Sequence, residues 1–246
     1  MGACCGNSSQ AKEPTKYKVV KADKAKLANI KKKAMALKQL NMNDTKIKDL
    51  KTNGDLYVPG LTNINADSWG LQNVDDEFFG QPLKTISMNY NSISKFPAVF
   101  DCQKLTSIKL NHNKIKYIPE ELSGAKNLNN LEISHNLIEN FSLWLVNIES
   151  VDISYNMISE VPEGEYKGTK LLCLNLSYNK EIKDVPDDLL ENSNIHKLLL
   201  TGTAMKKRDL DYRESLQAYS NRRKNRMDIA VWNNLDVDFD LCGLTD

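Results

Sequence analysis

Two histidines, His112 and His135, stand 23 residues apart, each directly before an asparagine, and Tyr90, Tyr155 and Tyr178 hold the same position in neighbouring segments. Imidazoles at such a spacing raise the question of metal ligation. On adjacent strands they would lie about 5 Å apart, close enough to share a metal ion. A third ligand is not evident: His196 is remote in sequence, no Cys joins the pair, and the acidic Glu132 and Asp152 belong to a column one step inward. Cys173 has no His in its own or an adjacent segment at its own column, so an activated thiol is not indicated. With no Gly-rich phosphate loop either, no catalytic residue, metal or cofactor is expected. A second chemistry is legible at the start, Met1-Gly2-Ala3-Cys4-Cys5. Removal of Met1 would expose Gly2 for myristoylation, and Cys4 and Cys5 offer thiols for palmitate.

The elements that position these residues follow from a repeating frame, LxxLxLxxNxIxxIP. One unit reads Leu105, Ile108, Leu110, Asn113, Ile115, Ile118, Pro119; another reads Ile148, Val151, Ile153, Asn156, Ile158, Val161, Pro162. Asn91, Asn113, Asn136, Asn156 and Asn179 recur at spacings of 22, 23, 20 and 23. Alternation in LxL makes a short strand with two side chains inward. The asparagine then enters the core, where its amide can bond the backbone of its own loop and of the next repeat; unpaired burial would be costly. No single turn buries its apolar edge, so the turns must stack. Weaker units precede and follow: Leu37 to Leu50 with Thr45 at the Asn position, Leu61 to Val74 with Trp69, and Ile195 to Met205 with Thr203. One extra residue before Ile182 predicts a local bulge.

This pattern resembles the leucine-rich-repeat superfamily, and its small intracellular members in particular, over roughly residues 37–226. The resemblance implies a protein-binding scaffold and not a reaction. The expected fold is α/β: a solenoid of about eight turns with a curved parallel sheet on its concave face and helical caps at both ends. The expected division is a flexible acylation tail at 1–15, a basic helical cap at 16–36, the solenoid at 37–205, and a cap helix with an acidic tail at 206–246. Leu210, Tyr212, Leu216 and Tyr219 with the basic residues to Arg226 read as an amphipathic cap helix, or alternatively a recognition helix.

Strand alternation names the concave face. Its columns are small and polar, with Lys109, Glu132 and Asp152 as charged members. Beside them Tyr90, His112, His135, Tyr155 and Tyr178 form an aromatic ridge, read either as a recognition strip for a protein partner or as a shield over the turns.

The 246 residues contain no run long enough to span a bilayer. Charge is segregated: residues 1–38 carry ten Lys against Glu13 and Asp23, residues 206–226 eight basic against three acidic groups, and residues 227–246 five Asp and no base. The solenoid between is net acidic, which disfavours nucleic acid along the concave face. Five scattered cysteines and no apolar leader favour a reducing compartment. One acyl chain anchors only marginally, so Cys4, Cys5 and the Lys-rich stretch from Lys12 to Lys38 would supply the second signal toward an anionic membrane. The expectation is a monomeric, cytoplasmic scaffold at the cytoplasmic face of a membrane. The alternatives are a regulatory subunit of a phosphatase or small GTPase, and a phosphoinositide or nucleic-acid binder using the basic ends.

Overall fold

A computed structural model of the chain describes residues 32, 39–41, 49–50, 60–74, 82–96, 102–232 and 242–244. The expected acylation sites Gly2, Cys4 and Cys5, the Lys-rich stretch and the N-terminal helical cap lie outside the described residues, Lys32 apart.

Among the described residues ten short strands follow in chain order: β1 (Gln39–Asn41), β2 (Asp49–Leu50), β3 (Asn63–Asn65), β4 (Asn73–Val74), β5 (Thr85–Ser87), β6 (Ser107–Lys109), β7 (Asn130–Glu132), β8 (Ser150–Asp152), β9 (Cys173–Asn175) and β10 (Lys197–Leu199). Eight of them form one parallel sheet in the order β1, β3, β5, β6, β7, β8, β9, β10, so each repeat pairs only with its neighbours. The register aligns Ile64, Ile86, Ile108, Leu131, Val151, Leu174 and Leu198, one from each repeat. All seven are buried, as is the second inward column Ala66, Met88, Leu110, Ile133, Ile153, Leu176 and Leu200. Eight turns and the LxL register therefore agree with the frame. The pairing of β2 with β4 adds a two-stranded sheet that the frame does not signal.

On the other side the chain changes character because Pro closes off pairing. Pro119, which is extended, and Pro186 lead into a 3-10 turn at Glu120–Gly124 and a helix α1 (Asp187–Asn192). A second 3-10 turn spans Leu143–Asn147. The extra residue before Ile182 is absorbed by a turn in which the Ile182 N–H bonds the Asn179 carbonyl at 3.2 Å, leaving Ile182 buried.

The C-terminal cap is two helices, α2 (Lys207–Asp211) and α3 (Ser215–Trp232), and not one continuous helix over 210–226. Tyr212 lies in the break and is exposed, so it is not part of the apolar face; Leu210 and Tyr219 are buried. The Tyr219 hydroxyl accepts the Leu198 N–H at 3.0 Å, and the Cys242 carbonyl accepts the Leu200 N–H at 2.8 Å. Together they satisfy donors of the last strand that would otherwise lie open. Burial pushes the Cys242 thiol up to about 11. The basic residues of the cap have carbonyls to hold. Arg222 donates to the carbonyls of Leu190, Glu191 and Ile195 around the end of α1, and Arg213 to that of Val185. A segment of the expected acidic tail, Cys242–Leu244, is thus part of the cap.

Candidate functional site

The ladder sets the geometry of everything beside it. Asn156 accepts the Ile138 N–H at 3.0 Å and donates to the carbonyls of Ile133, Ile153 and Ser154 at 3.0–3.1 Å. Asn113, Asn136 and Asn179 are likewise buried and bonded, each accepting one N–H, from Ile93, Ile115 and Ile158. Asn91 is half-buried and accepts two, from Trp69 and Leu71. The bonds outside the residue's own loop run to the preceding repeat, not to the next as the sequence reading had it. Thr203, at the Asn position of the last repeat, bonds only its own loop through Leu200.

To turn each amide inward, the residue before it takes a left-handed backbone. Ser68, Tyr90, His112, His135, Tyr155, Tyr178 and Gly202 all have φ between 52° and 70°. That conformation costs a non-glycine residue roughly 1–2 kcal/mol. It also aims successive side chains along one line. The rings of Tyr90, His112, His135, Tyr155 and Tyr178 stack face to face, with centroids 4.3, 4.0, 4.0 and 4.2 Å apart and planes within 14° of parallel. The ridge is therefore real, but it stands in the turns beyond the strands, at the rim of the concave sheet. Its inner ring faces are spent on one another. What it offers to solvent is ring edges, tyrosine hydroxyls, imidazole nitrogens and, at its first ring, the outer face of Tyr90. Leu137 and Met157, each directly after a ladder asparagine, are exposed large apolar side chains.

The stacking also governs the histidine chemistry. Parallel imidazoles carry their lone pairs side by side, so two nitrogens in this arrangement cannot converge on one tetrahedral ion. Among the described residues no cluster of three potential metal ligands occurs. Desolvation, then the His112 imidazole, lowers the His135 pKa below the usual histidine value, against an opposing pull from Asp152. The Tyr155 hydroxyl is shifted up, by desolvation first and then by Tyr178.

On the concave strands the charged residues answer each other. Lys109 and Glu132 form an ion pair at 2.9 Å, and Glu132 also accepts from Asn130 and Asn111. Burial alone would raise that carboxyl, yet these partners together hold it below its ordinary value. Asp152 accepts the Ser154 N–H and hydroxyl. Glu132 is thus already paired within the sheet. A second ladder, missed in the sequence, runs two residues ahead of the first. Asp67 accepts the Asn89 N–H at 2.6 Å, Asn89 that of Asn111 at 2.8 Å, and Asn111 that of Ser134 at 2.8 Å. The signal was present, an Asx residue two before the ladder position in three consecutive repeats, but a polar concave residue reads by default as solvated.

Cys173 does have an imidazole nearby, from outside its own column: His196, directly before the Lys197 that pairs with Cys173, brings Nε2 to 4.0 Å from its sulfur. Burial raises the thiol pKa, and desolvation followed by Arg226, Arg223 and Lys197 lowers that of the histidine. Both groups are held neutral, the opposite of what a thiolate nucleophile needs.

Comparison with known proteins joins this geometry to a family. No family model matches the chain. It is 31% identical over 103 residues to mouse "Leucine-rich repeats and immunoglobulin-like domains protein 2", which covers 40% of this chain and 10% of that protein. Human "PH domain leucine-rich repeat-containing protein phosphatase 1" is 31% identical over 166 residues, covering 63% of this chain and 9% of that protein. The chain belongs to the leucine-rich-repeat superfamily. It spans about a tenth of the length of these two relatives. A solved leucine-rich-repeat domain, that of APL1, shares the fold, with a TM-score of 0.52 at 14% identity over 70% of this chain and 48% of its own. As a leucine-rich-repeat chain it presents a scaffold fold, and no described helix is long and apolar enough to cross a membrane.

Proposed function

We propose that this leucine-rich-repeat chain is a docking scaffold whose protein partner binds along the aromatic ridge and the adjoining rim of the concave sheet. The observation that carries this reading is where the apolar surface lies. Among the described residues eight large hydrophobic side chains are exposed, and five of them, Tyr90, Leu137, Tyr155, Met157 and Tyr178, line the ridge or the position just past the ladder. The concave strands, by contrast, are polar and bonded among themselves, so they suit the margin of an interface more than its centre. Aromatic side chains at an interface centre carry much of the binding energy.

Membrane tethering belongs to the same proposal. Acylation at Gly2 with palmitate on Cys4 or Cys5, aided by the Lys-rich stretch, would place the scaffold at the cytoplasmic face of an anionic membrane. The described cysteines Cys102, Cys173 and Cys242 are free thiols, which suits a reducing compartment. A second reading, regulation of a phosphatase, is favoured by the similarity to a protein whose name joins leucine-rich repeats to a phosphatase.

The test is cross-linking in cells followed by affinity measurement with the captured protein, comparing wild type with Tyr155→Leu and with Glu120→Ala on the opposite side. Docking on the ridge predicts at least a tenfold loss, about 1.4 kcal/mol, for the first and none for the second. Equal affinities for wild type and Tyr155→Leu refute it. For the tether, Gly2→Ala moves the protein from the membrane to the soluble fraction; a wild-type chain with no acyl mass at Gly2 refutes that part. Phosphatase activity co-purifying with wild type and lost with Tyr155→Leu identifies the partner class of the second reading.

A further inference from the structure

The ring stack is closed at one end and open at the other. Beyond Tyr178 comes Gly202, whose backbone lies so near that an added Cβ would stand 2.7 Å from the Tyr178 ring. Tyr178 is accordingly 39% exposed, no more than Tyr155 at 42%, which has a ring on both faces. At the other end Tyr90 stacks, among the described residues, on His112 alone and is 60% exposed. The position where a sixth ring would stand is Ser68, which has the same left-handed backbone, φ 63° against 56° for Tyr90, and an exposed side chain too short to cover the ring. The repeat thus continues in backbone and stops in side chain, leaving the outer face of Tyr90 with no ring on it among the described residues.

We infer that the open face of Tyr90 above Ser68 is a binding slot for the guanidinium of an arginine side chain on the docking partner. A tyrosine face is the negative region of the ring quadrupole and attracts a cation. A planar guanidinium can lie parallel to the ring as His112 does on the other side, whereas a lysine ammonium cannot. Next to Ser68 is Asp67, whose Oδ1 accepts from the Ser87 hydroxyl at 2.8 Å and the Asn89 N–H at 2.6 Å. Its second oxygen makes no hydrogen bond among the described residues, so a carboxylate oxygen remains for a fork-shaped donor. The carboxylate is held within hydrogen-bond distance of the residue directly before Tyr90. An uncharged aromatic side chain would fill the slot but leave that oxygen unused. The inference rests on the docking reading only for the macromolecule that carries the arginine.

Capped tripeptides with a central Arg, Lys, Gln or Trp, titrated into the full chain and followed by saturation-transfer NMR, test the slot. The Arg peptide saturates with a dissociation constant of about 1–10 mM, the Lys peptide is weaker by about threefold or more, and the Gln peptide does not saturate. Tyr90→Leu abolishes Arg binding. So does Ser68→Leu, which covers the ring face with an apolar side chain; a melting temperature close to that of wild type shows that the fold is kept. Tyr178→Leu, at the closed end, leaves binding intact. Arg-peptide affinity unchanged in Ser68→Leu, or a preference for Trp over Arg, overturns the inference. Partner docking lost in Tyr155→Leu with no Arg-peptide binding in wild type refutes the slot alone; Arg-peptide binding with docking indifferent to Tyr155→Leu refutes the docking reading alone.

Discussion

Replacing Asn156 by leucine, a side chain of similar shape, measures what one rung of the ladder contributes. Four hydrogen bonds disappear, but their loss is not four penalties. The Ile133 carbonyl keeps a bond from the Asn136 amide, the Ile153 carbonyl one from the Asn179 amide, and the Ser154 carbonyl one from the His135 N–H. The Ile138 N–H is the group left with no acceptor. A single buried donor stranded this way costs about 1–3 kcal/mol. For a chain of this size that corresponds to a fall in melting temperature of roughly 2–12 °C. Thermal and urea unfolding give the total, and amide exchange at Ile138 gives the location, since that N–H alone should lose protection beyond the global change. Lys126→Ala, on an exposed side chain, serves as the control. A loss well above 4 kcal/mol would mean that the doubly bonded carbonyls do not share their donors as described; a melting temperature equal to that of the control would place Asn156 outside the core.

Gly202→Ala meets both a left-handed backbone and the Tyr178 ring, so it should destabilise by more than the roughly 1 kcal/mol a β-carbon costs there, and Tyr178→Ala should relieve part of that loss in a double-mutant cycle; additive effects would refute the contact. Folding lowers the pKa of His135 and His196 below the value of 6.5, so the unfolded chain takes up protons first as pH falls. Stability should therefore decline as pH drops through about 6.5 and level off below the folded values, and His135→Gln with His196→Gln should flatten that part of the profile measured by urea unfolding; an unchanged slope would assign it to other groups.

The solenoid was legible because an asparagine in an apolar frame at a fixed period has few ways to pay for burial. The register of Ile108 with Leu131 and Val151 follows from the frame alone. The ridge was legible as a column but not as a stack, since the spacing of Tyr90 from His112 does not reveal that the residue before the ladder is left-handed and aims its ring at its neighbour. The pairing of charges was hidden for a related reason: Lys109 and Glu132 read as separate concave groups until register sets them side by side. The return of Cys242 to the edge of β10 carries no local pattern, being a contact between segments far apart in the chain, and Arg222 shows no sign in sequence that its donors close another helix.

The ladder has a direction. Each asparagine reaches back, so the N–H of Ile93, Ile115, Ile138 or Ile158 waits for an acceptor that lies about twenty residues later in the chain. During synthesis the first repeats to emerge are chemically incomplete, and each is finished only when its successor arrives. A break from the back strands one of these isoleucine N–H groups at every new end, whereas a break from the front leaves each of them bonded to its asparagine. The molecule is thus completed by its tail: Tyr219, Arg222 and Cys242 close the last repeat, and shortened forms that lack them should be cleared by proteolysis sooner than forms shortened equally at the front.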